Sequence, residues 1–285
     1  MGNTRWLRSR AAAVAAVALV TVSCAPATRG GATSGHDPSR PIPADLAPQI
    51  QNAADVGRRM FVLDSYASRA TDAAIASNGG KPDPRVRGWV VAEQGHSAVV
   101  TFLSNDGNAV APVVRVRFAS FESTPKVVPA EPGEAATPEE IALFSARETA
   151  VAGKFRPCSE RYNTVVLPAS AAEGGNFVVC LIPATTDPNV VLVGGFHRAV
   201  VSADGRTLLS LTPLSKSCLD IPLVQNGVHA EALMASHILG PAPAEHHVFL
   251  SLLHRMTFYV ATSRGAFAVS GTEMRYLGPL GPSGK

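Results

Sequence analysis

Five of the eight histidines in this 285-residue sequence lie between positions 229 and 254, which makes this window the densest candidate for chemistry. They are His229, His237, His246, His247 and His254. Imidazole is the commonest metal ligand in proteins and also a general acid or base near neutral pH. The window therefore suggests either a metal site or a hydrolase in which histidine works beside a carboxylate. For the hydrolase, the candidate catalytic residues are His229, Glu231 and His237.

The motifs around these histidines argue against a metal site. "HAE" at 229–231 matches the start of the H-x-E…P-C-x-x-C deaminase signature, but no PCxxC follows it. The zinc-protease motif HExxH is also missing from the sequence. The segment from about 246 to 278 predicts four short strands, and neighbouring residues on a strand point to opposite faces. His246 and His247 are then not expected to share one ion, and the sequence predicts no metal site and no cofactor.

The sequence lacks the usual motifs of enzymes that catalyse acyl transfer. The sequence contains no G-x-S-x-G, the turn that exposes a nucleophilic serine in α/β-hydrolases. Residues 123–126, "STPK", are formally S-x-x-K, but Pro125 lies between the two functional residues and no K-T-G or S-D-N accompanies them. No nucleophile is predicted from these patterns.

Two short stretches combine polar and aromatic side chains, "PCSERYNTVV" at 157–166 and "GGFHRAVV" at 194–201. If Cys158 is tied to the loop around residue 218, the two stretches line one cleft. The candidate binding residues are Glu160, Arg161, Tyr162, His197 and Arg198. The alternative, that each belongs to an ordinary transition from loop to strand, stays open.

The first 23 residues have the layout of a secretory signal peptide. Arg5, Arg8 and Arg10 precede an apolar run over 11–22, and a small residue, Ser23, ends it. As a helix this run of about 12 residues spans about 18 Å, against the roughly 30 Å of a bilayer core. A permanent transmembrane helix is therefore not expected here.

The junction "VTVSC" at 20–24 resembles the lipobox of bacterial lipoproteins, a resemblance that covers only these first 24 residues. It implies cleavage before Cys24 and acylation of this cysteine, for instance with palmitate; two acyl chains are enough for stable anchoring. Thr21 departs from the Leu or Val that the family mostly has there. Ala25, in place of Asp, resembles the outer-membrane sorting pattern of Gram-negative lipoproteins. The alternative is a soluble secreted protein that is cut after Ala25 or Ala27.

If Cys24 carries lipid, three cysteines remain for the folded part. Cys180 lies in the apolar segment "FVVCLIP" and is expected to be buried and free. Cys158 and Cys218 lie in polar, loop-like surroundings, and export permits disulfides. We therefore predict a Cys158–Cys218 disulfide; no CxxC spacing supports a zinc site on these cysteines.

The charge balance gives no sign of a nucleic-acid partner. The chain has 25 Lys and Arg against 22 Asp and Glu, and three of the arginines leave with the signal peptide. The mature chain is then neutral, and no basic cluster larger than Arg58-Arg59 remains. The predicted partners are the membrane, through the N-terminal lipid, and another envelope protein, with no nucleic acid.

The elements that must position these residues are two helices and a series of antiparallel strands. One apolar stripe predicts a long helix over about 48–77: Val56, Met60, Leu63, Ala67, Ala70 and Ala74. A three-strand meander is predicted over about 88–118. "TPEE" at 137–140 has the capping-box pattern of a second helix, with Thr137 as N-cap. Strands are predicted at about 164–167, 176–182, 190–202 and 206–213.

These patterns together predict an α+β protein in which antiparallel meanders pack with a long N-terminal helix and a second, shorter helix. The expected organisation is a signal peptide (1–23), an anchor site and flexible tether (24–43) and one globular domain (44–281). Two subdomains meeting near 124–136 remain an alternative. Parts of the mature chain, such as "RYNTVVLPA", resemble exported bacterial proteins that have no assigned activity.

The function expected from this organisation is that of a lipid-anchored protein of the bacterial cell envelope with a non-catalytic binding or structural role. The outer membrane is the favoured location if the source is Gram-negative. The alternative is a secreted hydrolase, metal-dependent or not, that uses the histidine-rich region.

Overall fold

The segment predicted as a long helix from its apolar stripe forms a single helix, α1, from Ala47 to Ser77. The computed structural model describes residues 40–106, 109–168, 174–185 and 187–281. Cys24, the predicted signal peptide and most of the predicted tether lie outside these residues. The described residues form one compact unit.

The described residues contain helices and many antiparallel strands, so the predicted α+β class is confirmed. Besides α1, the helices are α2, Pro138–Val151, and α3, Glu245–His254. The strands up to residue 192 are β1 Gly88–Gln94, β2 Ser97–Asn105, β3 Val110–Phe118, β4 Lys126–Pro129, β5 Arg161–Leu167, β6 Phe177–Ala184 and β7 Val190–Leu192. The remaining strands are β8 His197–Val201, β9 Leu208–Pro213, β10 Asp220–Pro222, β11 Val224–Gln225, β12 Val228–His229, β13 Ala232–Ser236, β14 Thr257–Thr262, β15 Gly265–Ser270 and β16 Glu273–Gly278.

Within the described residues the strands form three four-stranded sheets and two small two-stranded ones. The larger sheets have the orders β1-β2-β3-β4, β5-β6-β8-β9 and β13-β14-β15-β16, and β7 pairs with β10 and β11 with β12. The only parallel pair among them is β13 with β14, and α3 is the crossover between these two strands. A parallel pair needs such a crossover, and the helix that supplies it is the one that the sequence patterns do not predict.

Helix α1 joins the sheets through different parts of its length. Met60 and Leu63, near its middle, are buried in the largest core cluster, with residues of the second and third sheets and of α3. Tyr66 and Ala70 in its second half pack on the first sheet, where Tyr66 lies 4.9 Å from Phe118 between ring centroids. The predicted stripe thus faces the core, and its central members are buried.

Helix α2 begins at the predicted capping box. The Thr137 side chain accepts a hydrogen bond from the Glu140 amide, and the Glu140 carboxylate accepts one from the Thr137 amide at 2.8 Å. The same carboxylate accepts hydrogen bonds from Thr101 and Arg115 of the first sheet, at 2.7 and 2.9 Å. Glu140 therefore both caps the N-terminus of α2 and attaches this helix to the first sheet.

The strand predicted at residue 246 is wrong, because the chain forms α3 there. The seven residues Glu245–Ser251 are all buried, polar and apolar alike, so the segment has no exposed face, and periodicity cannot separate a buried helix from a buried strand. The helix ends where Arg255 adopts a left-handed conformation with φ of 54°. His254 is its last residue. No helix among the described residues is both long and apolar enough to cross a bilayer.

Candidate functional site

Three of the five C-terminal histidines meet at one place, between the end of β13 and the first turn of α3. His237 directly follows β13, and its amide donates to the Ala261 carbonyl at 2.7 Å. His246 and His247 lie in the first turn of α3, and their ring centroids are 3.8 Å apart. One ring nitrogen of each histidine lies within 4.8 Å of one nitrogen of each of the others. We call His237, His246 and His247 the histidine cluster.

The histidine cluster forms the inner wall of a pocket with a volume of about 390 Å³. All three side chains are buried, with exposures of 6%, 1% and 2% in chain order. The outer wall is the loop from Ser215 to Leu219, and the mouth carries the exposed side chains of Met234 and Ile238. This volume fits a small ligand, since typical ligand pockets measure roughly 300–1,000 Å³.

Burial keeps the cluster uncharged. It lowers the pKa of His247 to about 3, with a further contribution from the neighbouring His237. Burial, together with the other two imidazoles, also holds the pKa of His246 well below its usual range. Burial lowers the pKa of His237 as well, although the Glu245 carboxylate acts in the opposite direction. At neutral pH each ring is therefore neutral and has one nitrogen lone pair.

Two ring nitrogens of the histidine cluster differ in their hydrogen bonding: His247 Nδ1 accepts a hydrogen bond, whereas His246 Nδ1 has no partner among the described residues. The Ala244 amide, at the N-cap of α3, donates to His247 Nδ1 at 3.1 Å, so the Nδ1 lone pair is used and the ring proton lies on Nε2. His246 Nδ1 is buried and, among the described residues, has no hydrogen-bond partner. An unsatisfied buried polar group costs about 1–3 kcal/mol, and such atoms are often functional.

The outer wall of the pocket is held in place by a glycine and a disulfide. Cys158 and Cys218 are bonded, with their Cα atoms 5.3 Å apart, so the predicted disulfide is confirmed. A Cβ atom on Gly194 would lie 2.2 Å from the Ser217 carbonyl oxygen, so only glycine allows the loop to lie this close. The Gly194 amide donates to the Leu219 carbonyl at 3.0 Å. The glycine contact and the disulfide thus both hold the loop at residues 217–219.

Cys180, the remaining cysteine of the folded part, is buried and free, as predicted. Burial raises the pKa of its thiol to about 12, which leaves it protonated and unreactive at neutral pH.

The predicted catalytic residues are not assembled into one site. His237 is buried in the pocket, whereas His229 and Glu231 are exposed and do not line it. His229 is the last residue of β12, in a small hairpin, and Glu231 lies between this hairpin and β13.

The predicted binding residues are divided between two places. Tyr162 and His197 lie together behind the disulfide, where both donate to the Gly195 carbonyl, at 3.1 and 2.8 Å, and a second cavity of about 300 Å³ includes His197. Arg198 points the other way along β8 and pairs with Glu245 of α3 at 3.3 Å. Glu160 and Arg161 are exposed and line neither cavity. The proposed five-residue cleft does not form.

The pairing of His246 and His247 with His237 was not predictable from the motifs, because the segment at 246 was assigned to a strand and not to a helix. On a helix the two neighbouring side chains do lie close enough for ring contact. Helix-start signals were present: Pro241 and Pro243 precede the segment, and Glu245 provides an acidic residue in its first turn.

Comparison with known proteins gives no family assignment. The chain has no significant match among protein-family models, curated proteins or solved structures.

Proposed function

We propose that this protein is exported, anchored to a bacterial membrane through lipid on Cys24, and acts there as a non-catalytic binding protein. The N-terminal pattern of basic residues, apolar run and "VTVSC" supports export and lipidation. The Cys158–Cys218 disulfide supports export independently, because disulfides persist in oxidising compartments. The membrane is then one partner, and another protein of the cell envelope is the second.

The single observation that carries the binding role is the pocket with the histidine cluster in its wall. It combines a small-ligand volume with three buried nitrogen-bearing side chains. Its outer wall is held by a covalent cross-link at Cys218, directly between the lining residues Ser217 and Leu219. Pockets whose polar groups are placed by rigid surroundings are typical of binding sites.

The hydrolase is the weaker candidate on this geometry. It needs a histidine and a carboxylate in one site, and the exposed positions of His229 and Glu231 separate them from His237. The nearest buried carboxylate, Glu245, is already paired with Arg198. The proposed role is therefore binding.

Lipidation is tested with Cys24→Ser in cells grown with labelled palmitate. We expect the label to disappear and the protein to leave the membrane fraction. Cys180→Ala is the matched control, because it removes another thiol and must keep both label and location. Labelling that persists in Cys24→Ser would refute the anchor.

The binding role is tested by filling the pocket with Ser217→Trp, since Ser217 lines the mouth and is exposed. Metals and small molecules released from the purified protein by denaturation are compared with those from the unchanged chain by mass spectrometry. A species present at about one per chain in the unchanged protein and missing from the variant supports the role. Identical contents in both proteins would contradict it.

A further inference from the structure

We propose that His237, His246 and His247 bind one transition-metal ion, with Zn²⁺ as the reference ion, at the inner wall of the pocket. This proposal rests on the proposed function, in which the same pocket is the ligand site, and it names the class of ligand. Three neutral imidazoles with one open position are a known donor set for zinc.

The distances are close to those of a metal site. Zinc–nitrogen bonds of about 2.0–2.1 Å in a tetrahedral site place the nitrogens about 3.4 Å from one another. The three candidate nitrogens already lie within 4.8 Å of one another without an ion. The backbone already brings the three residues together, and rotation of the imidazole rings about their side-chain bonds is the movement that would close the difference on metal binding.

The unpartnered nitrogen of His246 independently points to a ligand. The His246 side chain is 1% exposed, and among the described residues its Nδ1 has no hydrogen-bond partner. A core histidine that serves only packing is expected to satisfy both ring nitrogens. A metal ion on one ring nitrogen, with a hydrogen bond or water on the other, is the usual arrangement of ligand histidines.

The donor set selects a transition metal over magnesium or calcium. All three atoms that meet here are imidazole nitrogens, whereas Mg²⁺ and Ca²⁺ prefer oxygen. Glu245, the neighbouring carboxylate, pairs with Arg198 at 3.3 Å and is not a member of the group. The partial positive charge of the α3 N-terminus opposes any cation, but it acts weakly compared with three coordination bonds.

Metal binding has a specific consequence for His247, whose Nδ1 accepts the hydrogen bond from the Ala244 amide. If the metal takes Nε2, the proton on Nε2 must move to Nδ1, which then no longer accepts from the amide. If the metal takes Nδ1, it displaces the amide directly. In either case His247 stops capping α3 when the ion binds, so metal occupancy and the N-cap of α3 are coupled.

The test uses the mature chain, purified in detergent and stripped with EDTA, and titrates it with Zn²⁺ in a calorimeter. We expect one Zn²⁺ per chain and no binding of Mg²⁺. His246→Ala should weaken Zn²⁺ binding by more than about 100-fold, since even loss of an outer-shell partner costs 10–100-fold. His229→Ala, which removes an exposed histidine of the same region, should leave the affinity unchanged.

His247→Gln and His247→Ala separate metal binding from helix capping. Glutamine is a natural acceptor at this capping position, so it keeps the bond from the Ala244 amide but removes the imidazole. Both variants should lose Zn²⁺ affinity. Without metal, only His247→Ala should lower the melting temperature, and exchange of the Ala244 amide should be faster in this variant and in the zinc-bound unchanged chain.

X-ray absorption of the zinc-bound unchanged chain keeps the proposal testable even if a variant does not fold. Scattering from three imidazoles at about 2.0 Å supports it. No zinc binding, an equal affinity in His246→Ala, or fewer than three imidazoles would overturn it. Because palmitate labelling and membrane location do not depend on zinc, a failed titration rejects the metal while the anchor is judged separately.

Discussion

Gly57 of α1 lies directly against the backbone of Glu245, the first residue of α3: a Cβ atom on Gly57 would be only 2.5 Å from the Glu245 carbonyl oxygen. The same atom would lie 2.6 Å from the Val248 Cβ. Glycine thus permits the close approach of the two helices. Because His246 follows Glu245, this contact also sets where the histidine cluster lies.

Gly57→Ala tests this contact, because two effects of opposite sign compete there. Alanine favours a helix over glycine by about 1 kcal/mol, which alone would stabilise α1. Overpacking of a tight contact costs about 1–3 kcal/mol, and here the obstacle is backbone. We expect net destabilisation of about 1–2 kcal/mol in urea unfolding. Asn52→Ala, at an exposed position of α1, is the control and should be neutral or stabilising; stabilisation by Gly57→Ala would contradict the close packing.

Loss of the disulfide should lower the stability of the whole fold. The bond joins residues 60 apart in sequence, and the chain-entropy model gives about 4 kcal/mol for a loop of this length. The double variant Cys158→Ser/Cys218→Ser is therefore expected to lose about this much free energy of unfolding in urea. Cys180→Ala, which keeps the bond, is the control, and its unfolding should still respond to a reductant. Equal stability of the double variant and the oxidised unchanged chain would contradict the prediction.

The parts of the fold that could be predicted from the sequence are those set by interactions between residues close together in the chain, and by a clear contrast between apolar and polar surroundings. The α1 stripe follows helical spacing because one face is buried, and the Thr137–Glu140 capping box depends on residues three positions apart. The disulfide was predictable because the three cysteines differ in their surroundings: Cys180 lies in an uninterrupted apolar strand, whereas Cys158 and Cys218 lie in polar segments.

The candidate site was not predictable in the same way, because it depends on long-range assembly. His237 and His246 meet only because α3 crosses from β13 to the parallel strand β14. The buried segment from Glu245 to Ser251 shows no helical face, so its sequence alone favoured a strand. The position of α3 also depends on its close contact with Gly57 of α1, a residue that is far from α3 in the sequence.

The charge of Glu140 should matter more to stability than its hydrogen bonds. Burial on its own raises the pKa of Glu140, but hydrogen bonds from Arg115, Thr101 and Thr137 lower it below its usual range, so the carboxylate is charged at neutral pH. Glu140→Gln keeps an acceptor for Thr137 but removes the charge opposite the half-buried Arg115. Removing one partner of a buried ion pair costs about 3–5 kcal/mol, and since Glu134 also pairs with Arg115 we expect about 2–3 kcal/mol.

Urea unfolding at pH 7 checks this value, with Glu139→Gln as the matched control at the exposed neighbouring position. The control should change stability by less than about 0.5 kcal/mol. If both variants lose the same small amount, the Arg115–Glu140 pair contributes no more than a surface contact.

Asp64 of α1 should make the protein less stable as the pH rises. No hydrogen bond or ion pair from the described residues reaches its half-buried carboxyl, and loss of hydration raises its pKa from 3.8 to about 6. It lines a cavity that also contains His254 and Asp187. Between pH 4 and 6 the folded chain therefore holds a proton that the unfolded chain has lost, so the free energy of unfolding falls through this window and is lowest above pH 6.

Asp64→Asn removes this titration. At pH 7.5 the variant is expected to be more stable than the unchanged chain by about 1–3 kcal/mol, the upper value being the full shift at 1.36 kcal/mol per pKa unit. At pH 3.5 the two should unfold at the same urea concentration, because both carry a neutral side chain there. Asp72→Asn, on the exposed side of the same helix, should give the same small difference at both pH values. A stability gain for Asp64→Asn that is independent of pH would show that packing, and not the buried charge, is responsible.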